Sequence, residues 1–334
     1  MQTSGPMRLG VVGLRRRFTY DLLPSLSLVR QQFSLHTIHD PSLPRTMRWS
    51  QLTRTRPARS LSELIESPDV QAICLADACW YGVWPALRCA ELGKPVACLD
   101  DWILLHAAAT DTRLPQQGVW PLLAGTTAGY AQLVQLLRGE LGAVQSVTVV
   151  GQARAPVRLL LEGLWLSASL LEQLPESWQV QVSRDGRLAS VMLGWPGGQA
   201  AQVNLRQSKV GRAKLGVAVI AERGTATLAL PNRLAWRNAT GHHRLRLVAA
   251  WERTQILLGQ LAAAAATAAA ATAAAATAAT AAASNERAPA ANEPAAAAAP
   301  VPLGSVDWSG LLKLAHAVLN AQEPLQRVIA RALR

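Results

Sequence analysis

Asp100 and Asp101 directly follow the apolar run Pro95–Leu99 and form a pair of adjacent carboxylates. Two acids whose surroundings drive their pKa values apart can act as general acid and general base. A solvated or helix-capping pair is the plainer reading of the same residues, and the favoured one. His106 lies a turn or two later and reads as an ordinary, partly buried histidine. His242 and His243 in GHHRLRL would need two further ligands to hold a metal, and the sequence offers none. Cys74, Cys79, Cys89 and Cys98 lack the paired C-x-x-C spacings that close a zinc site. They read as small buried residues of a reduced, cytoplasmic protein.

The elements that must position such groups follow from hydrophobic periodicity. The 334 residues are 50% hydrophobic and only 16% charged, which suits about two globular domains and excludes a wholly disordered chain. The net charge of +12 comes from arginine, since the only lysines are Lys94, Lys209, Lys214 and Lys313. Met7–Leu14 reads as a buried strand opening into a turn, Leu22, Leu23, Leu26 and Val29 recur at helical spacing, and Phe33–Pro41 reads as a second strand. An arginine-rich loop follows, with Arg45, Arg48, Arg54, Arg56 and Arg59, and then a helix opened by the capping box Ser60 and Glu63. Val70–Ala76 and Pro95–Leu99 are strands, separated by a helix over Pro85–Leu92 that Gly93 closes. This alternation predicts an α/β, Rossmann-like, doubly wound parallel sheet over residues 1–121.

From 122 to 260 the pattern predicts an α+β domain with a large, mostly antiparallel open sheet. A helix over Tyr130–Arg138 ends at Gly139, Val144–Gln152 is a strand, and Arg184 to Arg187 is the turn of a hairpin. Residues 261–305 are an Ala/Thr/Pro-rich insert from which no core can be built, read as an exposed helix and then an extended linker. Residues 306–334 place Trp308, Leu311, Leu312, Ala315, Val318 and Leu319 at helical spacing, and that apolar stripe must pack back on the core. The N-terminus lacks a secretory pattern, and the Ala/Thr tract lacks the Leu, Ile and Phe of a membrane span. The expectation is a cytoplasmic protein with no membrane contact, and nucleic acid is not the expected partner.

Four stretches give the chain a family resemblance: SLSELIESPDVQAICLA (60–76), ALRCAELGKPVAC (86–98), RGELGAVQSV (138–147) and AHAVLNAQEPLQ (315–326). In order and spacing they resemble the Gfo/Idh/MocA family of NAD(P)-dependent sugar oxidoreductases. That resemblance implies an NAD(P)-binding domain and a second domain whose open sheet forms homo- or hetero-oligomer interfaces. It also implies a Gly-rich G-x-G-x-x-G turn, whose second glycine lets the backbone approach the pyrophosphate. Here Gly13 keeps the first position, while Arg15 and Phe18 take the other two. Arg15 blocks that close approach, or else Arg15 and Arg16 pair with phosphate directly. Asp40, ending the second strand, is the candidate for an NAD ribose, and equally an ordinary turn residue before Pro41.

The family's catalytic positions are changed. Leu99-Asp100-Asp101 stands where the resemblance places a Glu-Lys-Pro tripeptide, and Lys94 is the nearest lysine. Leu166 and Ser169 stand at the positions of a histidine and an aspartate used in proton transfer. Trp80, Trp84, Trp102 and Trp165 fall at or beside the altered motifs, either filling a collapsed cleft or lining one that stacks on a sugar. The leading reading is a non-catalytic pseudoenzyme, a partner subunit or ligand-sensing module in which dinucleotide binding is doubtful. The alternatives are an NAD(P)-dependent oxidoreductase on a sugar- or cyclitol-like substrate, and a polyanion binder acting through the loop from Arg45 to Arg59.

Overall fold

The computed structural model describes residues 5–77, 81–99, 107–108, 119–121, 127–153, 156–185, 187–208, 213–230, 233–246, 254–255, 257–263, 266 and 308–321. Asp100, Asp101, His106, Cys79, Trp80, Trp102 and most of the 261–305 insert lie outside these residues. Six parallel strands form the first sheet: β1 (Met7–Val12), β2 (Phe33–His39), β3 (Arg56–Pro57), β4 (Ala72–Leu75), β5 (Val96–Cys98) and β6 (Val119–Pro121). Their order, β3-β2-β1-β4-β5-β6, reverses direction between β1 and β4, the switch point where such sheets open a crevice at their carboxyl ends.

Side-chain alternation gives this sheet two apolar faces. Leu9, Val11, Cys74 and Ala97 face one way, against Phe18, Leu22 and Leu26; Val12, Ile73, Leu75 and Val96 face the other, against Leu64, Ile65, Ala86 and Cys89. The first face is covered by α1 (Leu23–Leu28) and by the helical turn Phe18–Leu22, where the Leu23 amide reaches back to the Phe18 carbonyl. Pro24 follows that widened turn, and a residue without an N–H is tolerated where the helical ladder is already loosened. Leu257, Leu258 and Leu261 also pack on this face and are fully buried. Leu261, which opens the alanine-rich stretch, is therefore core, while Ala262 and Ala263 are half-buried and Ala266 is exposed.

The arginine-rich segment is not a loop. Leu43–Thr53 forms α2, with Pro44 in its first turn and Arg54 closing it in the left-handed conformation (φ 54°), and Arg56–Pro57 is β3. Proline preset for the first helical turn outweighs the polar composition. α3 (Leu61–Glu66) is capped by Ser60, whose hydroxyl accepts from the Glu63 amide at 3.1 Å; the Glu63 carboxylate accepts from the Arg59 amide at 2.8 Å. α4 (Trp84–Glu91) ends as expected at Gly93 (φ 65°).

The second sheet has eight strands: β7 (Val144–Ala153), β8 (Ser177–Val182), β9 (Leu188–Gly194), β10 (Ala200–Gln207), β11 (Lys214–Ala221), β12 (Gly224–Ala229), β13 (Arg233–Asn238) and β14 (Gly241–Arg246). Its order is β14-β13-β12-β11-β7-β10-β9-β8, antiparallel throughout except for β10 on β7. α5 (Ala128–Leu136) runs on through a wide turn, Leu137–Leu141, so the chain passes Gly139 and leaves at Gly142 (φ 80°). Gly139, expected as the stop, has helical neighbours on both sides. α6 (Leu160–Leu170) lies buried on the sheet's inner face, and α7 (Trp308–Asn320) packs on α6 through Leu311, Ala315 and Val318. His316 Nδ1 donates to the Ala108 carbonyl at 2.8 Å, tying this last helix to residues beyond β5.

Candidate nucleotide crevice

The turn after β1 is set by contact with the end of β4. Gly13 is left-handed (φ 85°), and a Cβ there would lie 2.5–2.7 Å from the Asp77 backbone and side chain, so only glycine fits. Its amide donates to the His39 carbonyl at 2.9 Å. The next amide, Leu14 N–H, donates to Asp40 Oδ2 at 2.9 Å. Asp40 Oδ1 accepts from the Ser42 amide at 2.9 Å and from Arg45 Nη1 at 2.8 Å. The carboxylate is 1% exposed. Burial acts to raise its pKa, but the two amides and the Arg45 guanidinium outweigh burial and hold it below the ordinary value.

Arg15 and Arg16 point outward. Arg15 Nε lies 3.5 Å from Asp77 Oδ2 with its side chain 57% exposed, and the Arg16 guanidinium sits 6.0 Å above the Tyr20 ring. Phe18, at the third glycine position, is fully buried edge-on against Trp49 of α2, with ring centroids 5.1 Å apart. Its ring fills the contact that a glycine would leave to backbone.

Three residues at the crevice escaped the sequence reading as site residues, Ser42, His39 and Tyr81, and Arg45 was read only as part of an arginine-rich loop suited to polyanions. Ser42 is the N-cap of α2, yet its hydroxyl makes no capping bond, and Arg45 stands one turn on. The signal was present in Ser42 followed by Pro44, a helix start placed directly after the Asp40 turn. His39 is 5% exposed; its Nδ1 lies 3.1 Å from the Ala58 carbonyl and its Nε2 2.7 Å from Tyr81 Oη. A carbonyl only accepts, so Nδ1 carries the proton, and in the neutral ring Nε2 accepts from the Tyr81 hydroxyl. That bond ties the end of β2 to the turn that leads into α4.

Asp100 and Asp101, the residues suggested for catalysis, lie outside the described residues. The Lys94 ammonium donates to the Ile65 and Ser67 carbonyls, both at 2.6 Å, and so ties down the end of α3. Leu166 is fully buried in α6; Ser169, also on α6, hydrogen-bonds the Tyr130 hydroxyl, and burial raises that phenol to about 12. Trp165 is 1% exposed beside Tyr130, a core residue, while Trp84 opens α4 and is 44% exposed. His242 and His243 lie on β14, where His243 stacks on Trp236. Among the described residues no three His, Cys, Asp or Glu are grouped to hold a metal, and no helix is long and apolar enough to cross a membrane.

No family sequence profile and no curated protein sequence matches the chain. Solved structures do resemble it. UDP-N-acetylglucosamine 3-dehydrogenase from Acidithiobacillus ferrooxidans is 16% identical, with a TM-score of 0.60 over 78% of this chain and 90% of that one. Levoglucosan dehydrogenase, in complex with NADH and levoglucosan, is 12% identical with a TM-score of 0.64 over the same shares. Biliverdin reductase from Synechocystis sp. PCC 6803, in complex with biliverdin and NADP+, is 15% identical with a TM-score of 0.59 over 95% of this chain and 98% of that one. The chain has the two-domain fold of the Gfo/Idh/MocA-type oxidoreductases.

Proposed function

We propose that this protein is an NADP(H)-linked oxidoreductase acting on a sugar- or cyclitol-like substrate. The observation that carries the reading is Arg45 standing beside an inward-turned, charge-compensated Asp40 at the end of β2. An acid at this place in a dinucleotide fold selects NAD by accepting from the ribose 2′-hydroxyl, and a nearby arginine instead accommodates a 2′-phosphate. Asp40 is committed to two amides and Arg45, so its charge does not oppose a phosphate. Ser42 and the first turn of α2 add a hydroxyl and a helix N-terminus, both suited to an anion. At the pyrophosphate turn the Leu14 amide is taken by Asp40, and exposed Arg15 supplies the cation instead. A nicotinamide cofactor, when bound, would supply hydride transfer; Asp100 or Asp101 is the candidate for the accompanying proton. Two of the similar structures, by name, act on carbohydrates.

A second reading, a non-catalytic partner or ligand-sensing subunit, is favoured by one observation. Leu166 and Ser169 stand where the resemblance places proton-transfer groups, and both are buried in α6 without an ionisable replacement. Calorimetric titration with NADPH and NADH, followed by NADPH absorbance assays over a sugar and keto-sugar panel, separates the two. NADPH binding tighter than NADH, with turnover reduced in Asp100→Asn or Asp101→Asn, supports the oxidoreductase. Binding without turnover supports the partner subunit, and no binding to folded protein overturns the NADP(H) assignment.

A further inference from the structure

A surface helix ordinarily turns its apolar stripe to the core and its polar side chains to water. α2 does the reverse. Its inward side is Thr46 and Ser50, both buried, with Trp49 half-buried against Phe18. The two hydroxyls are satisfied close by: Thr46 donates to the Asp40 carbonyl at 3.2 Å and Ser50 to the Met47 carbonyl at 2.8 Å. The outward side carries Leu43, Met47 and Leu52, which are 55%, 43% and 63% exposed. Leu43 and Met47 are one turn apart, as are Arg48 and Leu52, so these side chains form two ridges on either side of Pro44 and Gln51. From Pro41 to Ser62 the chain has Arg45, Arg48, Arg54, Arg56 and Arg59 and no acid. Arg45 holds Asp40 and Arg56 pairs with Glu63. No carboxylate among the described residues lies within ion-pair distance of exposed Arg48 or Arg54.

Single exposed apolar side chains need no explanation, but several gathered on one element mark an interaction surface. Large aliphatic groups interleaved with unpaired guanidiniums suit a partner that is anionic on its outside and apolar just beneath. An anionic bilayer has that layering: phosphates meet the arginines, and the aliphatic side chains enter the boundary between headgroups and acyl chains. Each cation held near such a surface strengthens binding about fivefold. Single-stranded nucleic acid requires aromatic platforms for its bases, and the outward side of α2 has none. A bound peptide needs a groove to hold its side chains, whereas the outside of a single helix is convex. A helix that lies on a membrane needs no spanning segment. The absence of a long apolar helix among the described residues, and the expectation of no membrane contact drawn from the sequence, therefore do not bear on this surface.

We infer that α2 docks the protein on an anionic lipid bilayer, with Leu43, Met47 and Leu52 entering the headgroup layer while Arg48 and Arg54 meet lipid phosphates. The surface stands whether or not the crevice at Asp40 takes a dinucleotide. The test is cosedimentation of the full chain with vesicles of phosphatidylglycerol and phosphatidylcholine in equal parts, beside vesicles of phosphatidylcholine alone. Binding to the anionic vesicles only is expected, weakened by added salt. Leu43→Gln with Met47→Gln and Leu52→Gln lowers the affinity about tenfold or more, and so does Arg48→Gln with Arg54→Gln. All five side chains are exposed, so both variants should melt as the parent does. Arg30→Gln with Arg184→Gln removes the same charge from exposed positions outside α2 and should bind as the parent does. Equal losses in this control and in the Arg48 and Arg54 variant would assign binding to net charge and overturn the proposal. Unchanged affinity in the leucine and methionine variant would overturn it too, since nothing then enters the lipid. So would an absence of binding to the anionic vesicles, or their displacement by a single-stranded oligonucleotide at a lower phosphate concentration than the lipid presents.

Discussion

The Asp40 carboxylate accepts the Leu14 backbone amide at 2.9 Å, so the end of β2 is latched to the turn that leaves β1. Three donors converge on an acid that is 1% exposed. Replacing it with alanine leaves two amides and a guanidinium without their acceptor. Asp40→Ala is expected to cost roughly 3 kcal/mol, read as a lower urea midpoint with unchanged slope.

The latch also fixes a pH dependence. The folded-state pKa of Asp40 lies below its ordinary value of 3.8, so the unfolded chain takes up the proton first as pH falls. The contribution is complete above the unfolded value and is lost as pH drops through the folded one. Stability measured from pH 6 downward should show a loss below pH 3.8 that Asp40→Asn removes. The same profile in parent and variant would assign the acid sensitivity to other carboxylates.

On the proposed NADP(H) reading, Arg45 carries the cofactor discrimination. Its removal deletes one charge-assisted contact to a 2′-phosphate and none to a 2′-hydroxyl. Arg45→Ala is expected to weaken NADPH binding about tenfold, equivalent to about 1.4 kcal/mol, and to leave NADH binding unchanged. Equal losses for both cofactors would show that Arg45 acts only by holding Asp40.

The sequence made the alternation of β1 to β5, the Ser60 cap, the Gly93 stop and the β8–β9 hairpin legible, because each rests on local periodicity or turn chemistry. Asp40 was legible as a position but not as a latch, since its partner Leu14 is 26 residues away and contributes only a backbone N–H. The arginine-rich stretch misled because composition spoke for a loop while Pro44, one residue, set the first turn of α2. His39 and Tyr81 are 42 residues apart, one ending β2 and the other in the turn before α4, and only the fold brings their side chains together.

Phe18 stands where the resemblance places a glycine, and its ring is packed into the core. The ring lies edge-on to Trp49 with no exposed surface. Phe18→Ala would empty that space, at a cost of about 3–5 kcal/mol. Thermal melting of Phe18→Ala beside the conservative Phe18→Leu tests this. A loss in the leucine variant close to that in alanine would mean the ring's edge contact, more than its volume, holds the helix on β1.

Cys74, Cys89 and Cys98 are buried cysteines, and their chemistry follows from where the two sheet faces place them. Burial pushes Cys89 up to about 12, against the opposing pull of the Lys94 ammonium, and it raises Cys74 further. The thiolate is the reactive form, so both groups are protected twice, by protonation and by lack of access. Iodoacetamide at pH 8 should leave all three unmodified in the folded protein and label all three in urea, as read by mass spectrometry of peptides. Lys94→Met removes the one cation that lowers the Cys89 pKa, and it leaves the Ile65 and Ser67 carbonyls at the end of α3 without their donor. That variant should therefore label Cys89 faster than the parent through local opening of α3 and α4, even though its thiol is less acidic. Slower labelling would show instead that acidity, and not opening, sets the rate.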